Sequence, residues 1–276
     1  MTAYDGLYLA PHLDDVVLSC GGTIHRRARE GRRALVITLF AGSPDEDANT
    51  AFSLELKERW GALEDPVGVR RREDIEAVTR LGADAAHLKF LDCVYRRGPV
   101  SESDLYPSVE HIFGDVHPEE AAFHEEILAA LRPYLAASPR ATVYAPLTVG
   151  HHVDHLVTMR AVLLLHAAGR RVRFYEDYPY AVQPDEVERA LVPLRAEGMI
   201  LAKRCRCFGD EDLEAKADAI SCYRSQISTF WQSLAEMRRD IEAYARTVGD
   251  GDLGEAFWRI VSPGAGAKTH VEGDAR

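Results

Sequence analysis

The ten residues Gly6-Leu7-Tyr8-Leu9-Ala10-Pro11-His12-Leu13-Asp14-Asp15 decide how this chain is read. Gly6 to Ala10 is a short apolar run of the kind buried in parallel sheets, and Pro11 ends it. From Asp14 to Glu30 the apolar residues Val16, Val17, Ile24 and Ala28 recur at near-helical spacing, with Gly31 where a helix C-cap falls. Ala34 to Ala41 is rich in strand formers and predicts a second strand. Strand, helix and strand in about 35 residues make a βαβ unit. Repeated, that unit predicts a doubly wound α/β fold, a mostly parallel sheet flanked by helices.

The alternation continues along the chain. Val69 to Leu81 predicts a helix, Ala86 to Leu91 a strand, Pro118 to Leu135 a helix, Thr142 to Pro146 a strand, Asp154 to Ala168 a helix and Val172 to Asp177 a strand. From about Glu211 to Tyr244 the pattern is mainly helical, so a helical C-terminal part is expected. Gly42 to Val67 and Tyr95 to His117 are long connections, the length typical of loops that cover a substrate. Residues 1–262 are expected to form a single domain, with 263–276 a disordered tail.

Composition bounds the function. The 276 residues include 33 basic and 44 acidic side chains, a net charge of −11, which argues against nucleic acid as a partner. No segment approaches the roughly 18 to 20 apolar residues of a transmembrane helix, and the N-terminus lacks the features of a secretory signal. Five scattered cysteines, Cys20, Cys93, Cys205, Cys207 and Cys222, suggest reduced thiols and a cytoplasmic location.

The chemistry is concentrated in two segments. Pro11-His12-Leu13-Asp14-Asp15 follows the first strand and opens the first helix, at the carboxyl edge of the sheet where open α/β folds bind ligands. On its own, either aspartate could be a helix N-cap. Gly150-His151-His152-Val153-Asp154-His155 occupies the equivalent place after the strand Thr142 to Pro146. His12, Asp14, Asp15, His152, Asp154 and His155 thus converge from two distant parts of the chain. Histidine and carboxylate without paired cysteine are the ligands of a catalytic zinc or similar divalent ion, and surplus carboxylate and imidazole groups suit a base and an electrophile.

The paired segments resemble the (A/P)-H-P-D-D and H-P-D-H motifs of the PIG-L, or LmbE-like, family of zinc-dependent de-N-acetylases, whose fold is Rossmann-like. The likeness runs from about Leu7 to Gln226. It includes weaker matches at Arg70, Glu73 and Ala77 and at Tyr223 to Gln226. The resemblance implies a metal-dependent hydrolase that removes acetyl from an N-acetylated amino sugar of the N-acetylglucosamine type, or from its conjugate. It implies that His12, Asp15 and His155 bind Zn2+, or another divalent ion such as Fe2+. Asp14 would be the general base, His152 the oxyanion stabiliser or proton donor, and Asp154 the group orienting His152. Leu13, Val16 and Val153 depart from the family pattern at positions that are neither ligand nor base.

Arg70 matches a family position that contacts the sugar, and Asp92, just past the strand Ala86 to Leu91, is placed to accept from sugar hydroxyls. Arg70 to Arg72 and Arg96-Arg97 would make the rim of the site locally basic. An amidase acting on a thiol conjugate or a natural-product amide would use the same groups. A metal- or sugar-binding module without turnover would have no need of both Asp14 and His152.

Overall fold

The computed structural model describes residues 3–45, 49–59 and 64–261. It opens with β1 (Gly6–Ala10), α1 (Asp15–Arg29) and β2 (Ala34–Thr38), the expected βαβ unit. The long connection after β2 contains α2 (Ala51–Arg59) before α3 (Pro66–Arg80) and β3 (Asp84–His87). The next carries the single turn α4 (Val109–Ile112) and leads to α5 (Phe123–Ala137), β4 (Thr142–Pro146), α6 (Val153–Ala167) and β5 (Val172–Tyr175). The remainder is α7 (Pro184–Ala196), β6 (Ile200–Cys207), α8 (Asp210–Ile220), α9 (Ile227–Phe230), α10 (Leu234–Val248) and β7 (Gly254–Val261).

The seven strands form one sheet in the order β3-β2-β1-β4-β5-β7-β6. β1 to β5 run parallel to one another, and β7 runs antiparallel to both β5 and β6. Strand order therefore reverses beside β1, and the crevice between β1 and β4 is the topological switch point.

Side chains alternate across the sheet. Leu7, Leu9, Leu35, Ile37, Val143 and Ala145 face one way and pack with α5, α6 and α7 through Ile127, Val157 and Leu191. Tyr8, Ala10, Val36 and Tyr144 face the other way and pack with α1, α3, α8 and α10 through Val17, Val78, Leu213 and Ile241. The helices that follow β1 and β4 thus leave toward opposite faces, and this opens the crevice.

Two expectations need correction. The strand expected at Ala86 to Leu91 lies earlier, at Asp84–His87. The C-terminal part is not only helical, because β6 and β7 complete the sheet. β6 reads Ile-Leu-Ala-Lys-Arg-Cys-Arg-Cys, and as an edge strand it carries charge that masks it as a strand in sequence. The tail 263–276 lies outside the described residues.

β7 also anchors α1. Glu255, buried, accepts from the backbone N–H groups of Gly22 and Thr23 at 3.0 and 2.9 Å, and from Lys216 Nζ of α8 at 2.8 Å. Gly22 leaves room for Phe208, whose ring would lie 2.6 Å from a Cβ there. The Gly21-Gly22 pair thus serves helix packing. Lys216→Met would leave the buried Glu255 carboxylate without its cation. It should lower the unfolding free energy by about 3–5 kcal/mol, read as a lower urea midpoint at unchanged m-value.

Candidate active site

Beyond β1 the chain turns at Pro11, and the backbone N–H of His12 donates to Asp15 Oδ2 at 2.7 Å. Asp15 is therefore drawn back over the strand end. Asp14 occupies the N-cap position of α1, yet its side chain accepts no capping hydrogen bond. Its carboxylate is buried and lies 3.8 Å from Arg70 Nη2, at the start of α3. Burial pushes the Asp14 carboxyl up to about 7, against the opposing pull of the Arg70 guanidinium.

Beyond β4 the turn is tight. Thr148 and His151 have left-handed backbone conformations with φ of 69° and 60°, as does Gly150, where a Cβ would lie 2.8 Å from the Tyr180 ring. Such conformations in non-glycine residues cluster at functional sites. The turn presents His152 as the N-cap of α6. His152 Nδ1 accepts from the Asp154 backbone N–H at 3.2 Å. An acceptor Nδ1 carries no proton, so a neutral His152 ring has its proton on Nε2 and is a donor there. Burial, and then the neighbouring His12, hold its pKa well below the usual histidine range.

The two motifs meet at Asp15. Its Oδ2 lies 3.5 Å from His12 Nδ1 and 3.4 Å from His155 Nε2. Nitrogens of His12, His152 and His155 lie within 4.8 Å of one another. The outward nitrogens of both candidate ligands are held by buried carboxylates. His12 Nε2 lies 3.0 Å from Asp154 Oδ2, and His155 Nδ1 2.7 Å from Asp177 Oδ1. Carboxylates accept, so these nitrogens donate, and each ring turns its other nitrogen, His12 Nδ1 and His155 Nε2, toward Asp15. Burial alone would raise the Asp15 carboxyl, but His155 and His12 outweigh it and hold it well below the usual range.

The structure brings together all six residues of the two motifs, and it reassigns one contact. The Asp154 carboxylate meets the His12 ring; toward His152 it offers only its backbone N–H. It also accepts from Arg96 Nη1 at 2.6 Å and from the Cys93 backbone N–H at 3.1 Å. Arg96 is a second correction. It is no part of a basic rim, being only 7% exposed and enclosed by Asp154, by Glu120, 3.0 Å from its Nη2, and by the rings of Phe40, Tyr106 and Phe123. Arg97, the other member of the expected pair, is bonded to Asp104.

Arg70 and Asp92 do reach the site. They line one cavity together with Leu13, Phe40 and Tyr95. Asp92 also caps the turn Cys93–Tyr95 by accepting from Val94 N, and its other oxygen lies 3.7 Å from His12 Nε2. Of the aromatic run after β5, Tyr175 and Tyr178 are core residues, and Tyr180 packs against Phe113. His151 is half-exposed, and His111 is held by Ser108.

Asp177 and Glu120 are not among the residues expected at the site, and Arg96 is expected only on its rim. Asp177 had a signal, since it leaves β5 at the same sheet edge as the two motifs. Arg96 and Glu120 had none, because only the folded connection between β3 and α5 brings them to Asp154.

The family model described as GlcNAc-PI de-N-acetylase matches residues 7–166. A 2'-N-acetylparomamine deacetylase of Niallia circulans is 28% identical over 194 residues, 65% of this chain and 69% of that protein. One of Streptomyces fradiae is 33% identical over 197 residues, 70% of this chain and 64% of that protein. Among solved structures, the zinc-inhibited form of a teicoplanin deacetylase superposes with a TM-score of 0.79 at 28% identity, covering 94% of this chain and 99% of that one. Its sheet is the same mostly parallel α/β arrangement.

The carboxylate behind His155 can be tested without a substrate. Asp177→Asn should weaken divalent-cation binding about 10- to 100-fold, measured by competition with a chromophoric chelator. Unchanged affinity would remove Asp177 from the support of His155.

Proposed function

This chain belongs to the GlcNAc-PI de-N-acetylase (PIG-L) family and is a metal-dependent deacetylase of N-acetylated amino sugars or their conjugates, and we propose that it works with zinc held by His12, Asp15 and His155. The observation that carries this reading is the pairing of His12 Nε2 with Asp154 and of His155 Nδ1 with Asp177. It leaves the other nitrogen of each imidazole beside the Asp15 carboxylate, where a bound ion would take both nitrogen lone pairs and one carboxylate oxygen. That donor set, without thiolate, fits a catalytic zinc with an open coordination position. The capping bond of His152 leaves a proton on Nε2, which supports a donor role for it and not a ligand role.

When bound, a divalent ion lowers the pKa of water toward about 7 and polarises a carbonyl oxygen. The remaining work falls to the chain. Asp14, buried and free of any capping bond, takes a proton from the water that attacks the acetamide carbon. His152 Nε2–H donates to the carbonyl oxygen as negative charge develops on it. The proton on Asp14 then passes to the amine nitrogen as the C–N bond breaks, giving free amine and acetate. Arg70 and Asp92 hold the sugar, one donating and the other accepting. Relatives named for N-acetylparomamine and teicoplanin deacetylation favour a small amino-sugar conjugate as the substrate.

Protein stripped of metal and given one equivalent of zinc should release acetate from members of a panel of acetylated amino sugars. Failure with every member would overturn the substrate class. Asp14→Asn should lower kcat about 100- to 10,000-fold with zinc still bound near one equivalent. If the metal is lost instead, Asp14 is a ligand and not the base. His155→Ala should not retain zinc through gel filtration, and full occupancy in that variant would refute the ligand set.

A further inference from the structure

The turn that Asp92 caps ends in Tyr95, and this side chain has no role in the chemistry above. Tyr95 is only 3% exposed. Its hydroxyl is fully buried and finds no hydrogen-bond partner among the described residues. A buried hydroxyl left without a partner is costly, and native folds keep few of them. The position is not a loosely held one. Tyr95 N donates to Asp92 O at 3.0 Å, Cys93 N is bound to the Asp154 carboxylate at 3.1 Å, and Thr50 Oγ1 donates to Val94 O at 2.9 Å. The turn is therefore fixed and the ring is buried on it with its hydroxyl unsatisfied, a preorganisation that makes sense when a ligand completes it.

The surroundings say what kind of ligand. Tyr95 lines the cavity that also holds Arg70 and Asp92, with Leu13, Phe40 and Val67 as apolar wall. Arg70 lies 3.8 Å from Asp14 and Asp92 3.7 Å from His12, so the cavity lies beside the reacting groups. A fixed cation, a carboxylate and a phenol hydroxyl beside apolar surface match the edge of a pyranose, whose hydroxyls both donate and accept. The acetamido group must face Asp14 and His152. The hydroxyl that enters a cavity beside Asp14 is then the one on the neighbouring carbon, the sugar 3-OH, since C1 bears the rest of the conjugate.

We propose that Tyr95 is a specificity residue whose hydroxyl bonds the 3-OH of the acetylated amino sugar, beside Asp92 and Arg70. This rests on the deacetylase reading above. A site built around a substrate hydroxyl discriminates against the analogue that lacks it, because its buried polar groups are then left unpaired.

The test compares the full-length zinc-loaded protein with its Tyr95→Phe variant. The substrates are the panel member turned over fastest and its 3-deoxy counterpart. With the hydroxylated substrate the variant should lose about 10-fold in kcat/KM. With the deoxy compound the two proteins should differ by less than about 2-fold. If the deoxy compound is not hydrolysed, its Ki as a competitive inhibitor gives the same comparison. The melting temperature of Tyr95→Phe should be equal to or above that of the parent, because the hydroxyl removed has no partner in the fold.

Equal kcat/KM for the two proteins on the hydroxylated substrate would overturn the proposal, as would an equal loss on both compounds. A lower melting temperature would show that the hydroxyl serves the fold, and would overturn it too. If the parent protein hydrolyses no panel member, the deacetylase substrate class fails first and the role of Tyr95 falls with it.

Discussion

The register of β1 against β4, with Gly6 opposite Thr142 and Tyr8 opposite Tyr144, is the constraint on which the site depends. It brings the ends of two strands more than 130 residues apart in sequence to one level, Ala10 on one and Pro146 on the other. A slip of one residue would turn Leu7 and Leu9 out of one core and Tyr8 out of the other. Both faces are buried, so no such slip is tolerated. Because α1 and α6 then depart to opposite faces, their first residues frame the crevice from two sides. Asp14 and Asp15 come from one side and His152 and His155 from the other. The proposed metal ligands are thus assembled by hydrophobic packing that has no chemistry of its own.

That packing must also tolerate an accumulation of charge. Asp14, Asp15, Asp92, Asp154 and Asp177 surround the site, and burying carboxylates without partners is costly. Each is matched locally. His12 and His155 stand beside Asp15, Arg70 beside Asp14, Arg96 beside Asp154, His155 beside Asp177, and His12 3.7 Å from Asp92. Burial alone would raise the Asp154 carboxyl; Arg96 and then His12 outweigh it and keep it ionised far below the usual range. The net charge of −11 therefore says little about the site itself. Part of the acidic excess is internal and already has its cations.

The sequence made legible what is local. Pro11 after an apolar run, and Asp14-Asp15 at a helix start, mark a strand end at the sheet edge whatever the rest of the chain does. The second motif could be placed at the same edge because Thr142 to Pro146 is as readable as a strand as Gly6 to Ala10. What was hidden is pairing. Nothing near Asp154 in sequence says that its carboxylate turns to His12 and not to His152, two residues away. That choice is made by Arg96 and the Cys93 N–H, which arrive from a different connection. β6 was hidden for another reason: its basic residues fall on both faces, Lys203 on the exposed one and Arg204 and Arg206 on the half-buried one, so no apolar alternation shows.

The segment Asp92 to Arg96 therefore links two properties that look separate. Arg96 and the Cys93 N–H fix Asp154, and Asp154 fixes the direction of His12, a proposed ligand. Asp92 and Tyr95, in the same short turn, form the wall of the cavity beside Asp14. Arg96 is in turn held by Glu120, which also accepts from Tyr106 OH at 2.7 Å, while Tyr106 OH accepts from His117 N at 2.9 Å. The connection from Tyr95 to His117 is thus tied at both ends to one buried guanidinium. A change in this connection that displaces Arg96 moves the cavity wall and the His12 support together. One that leaves Arg96 in place alters the cavity alone. Substrate preference can vary along this loop without cost to the proposed metal site only while the Asp154–Arg96–Glu120 bridge stays closed.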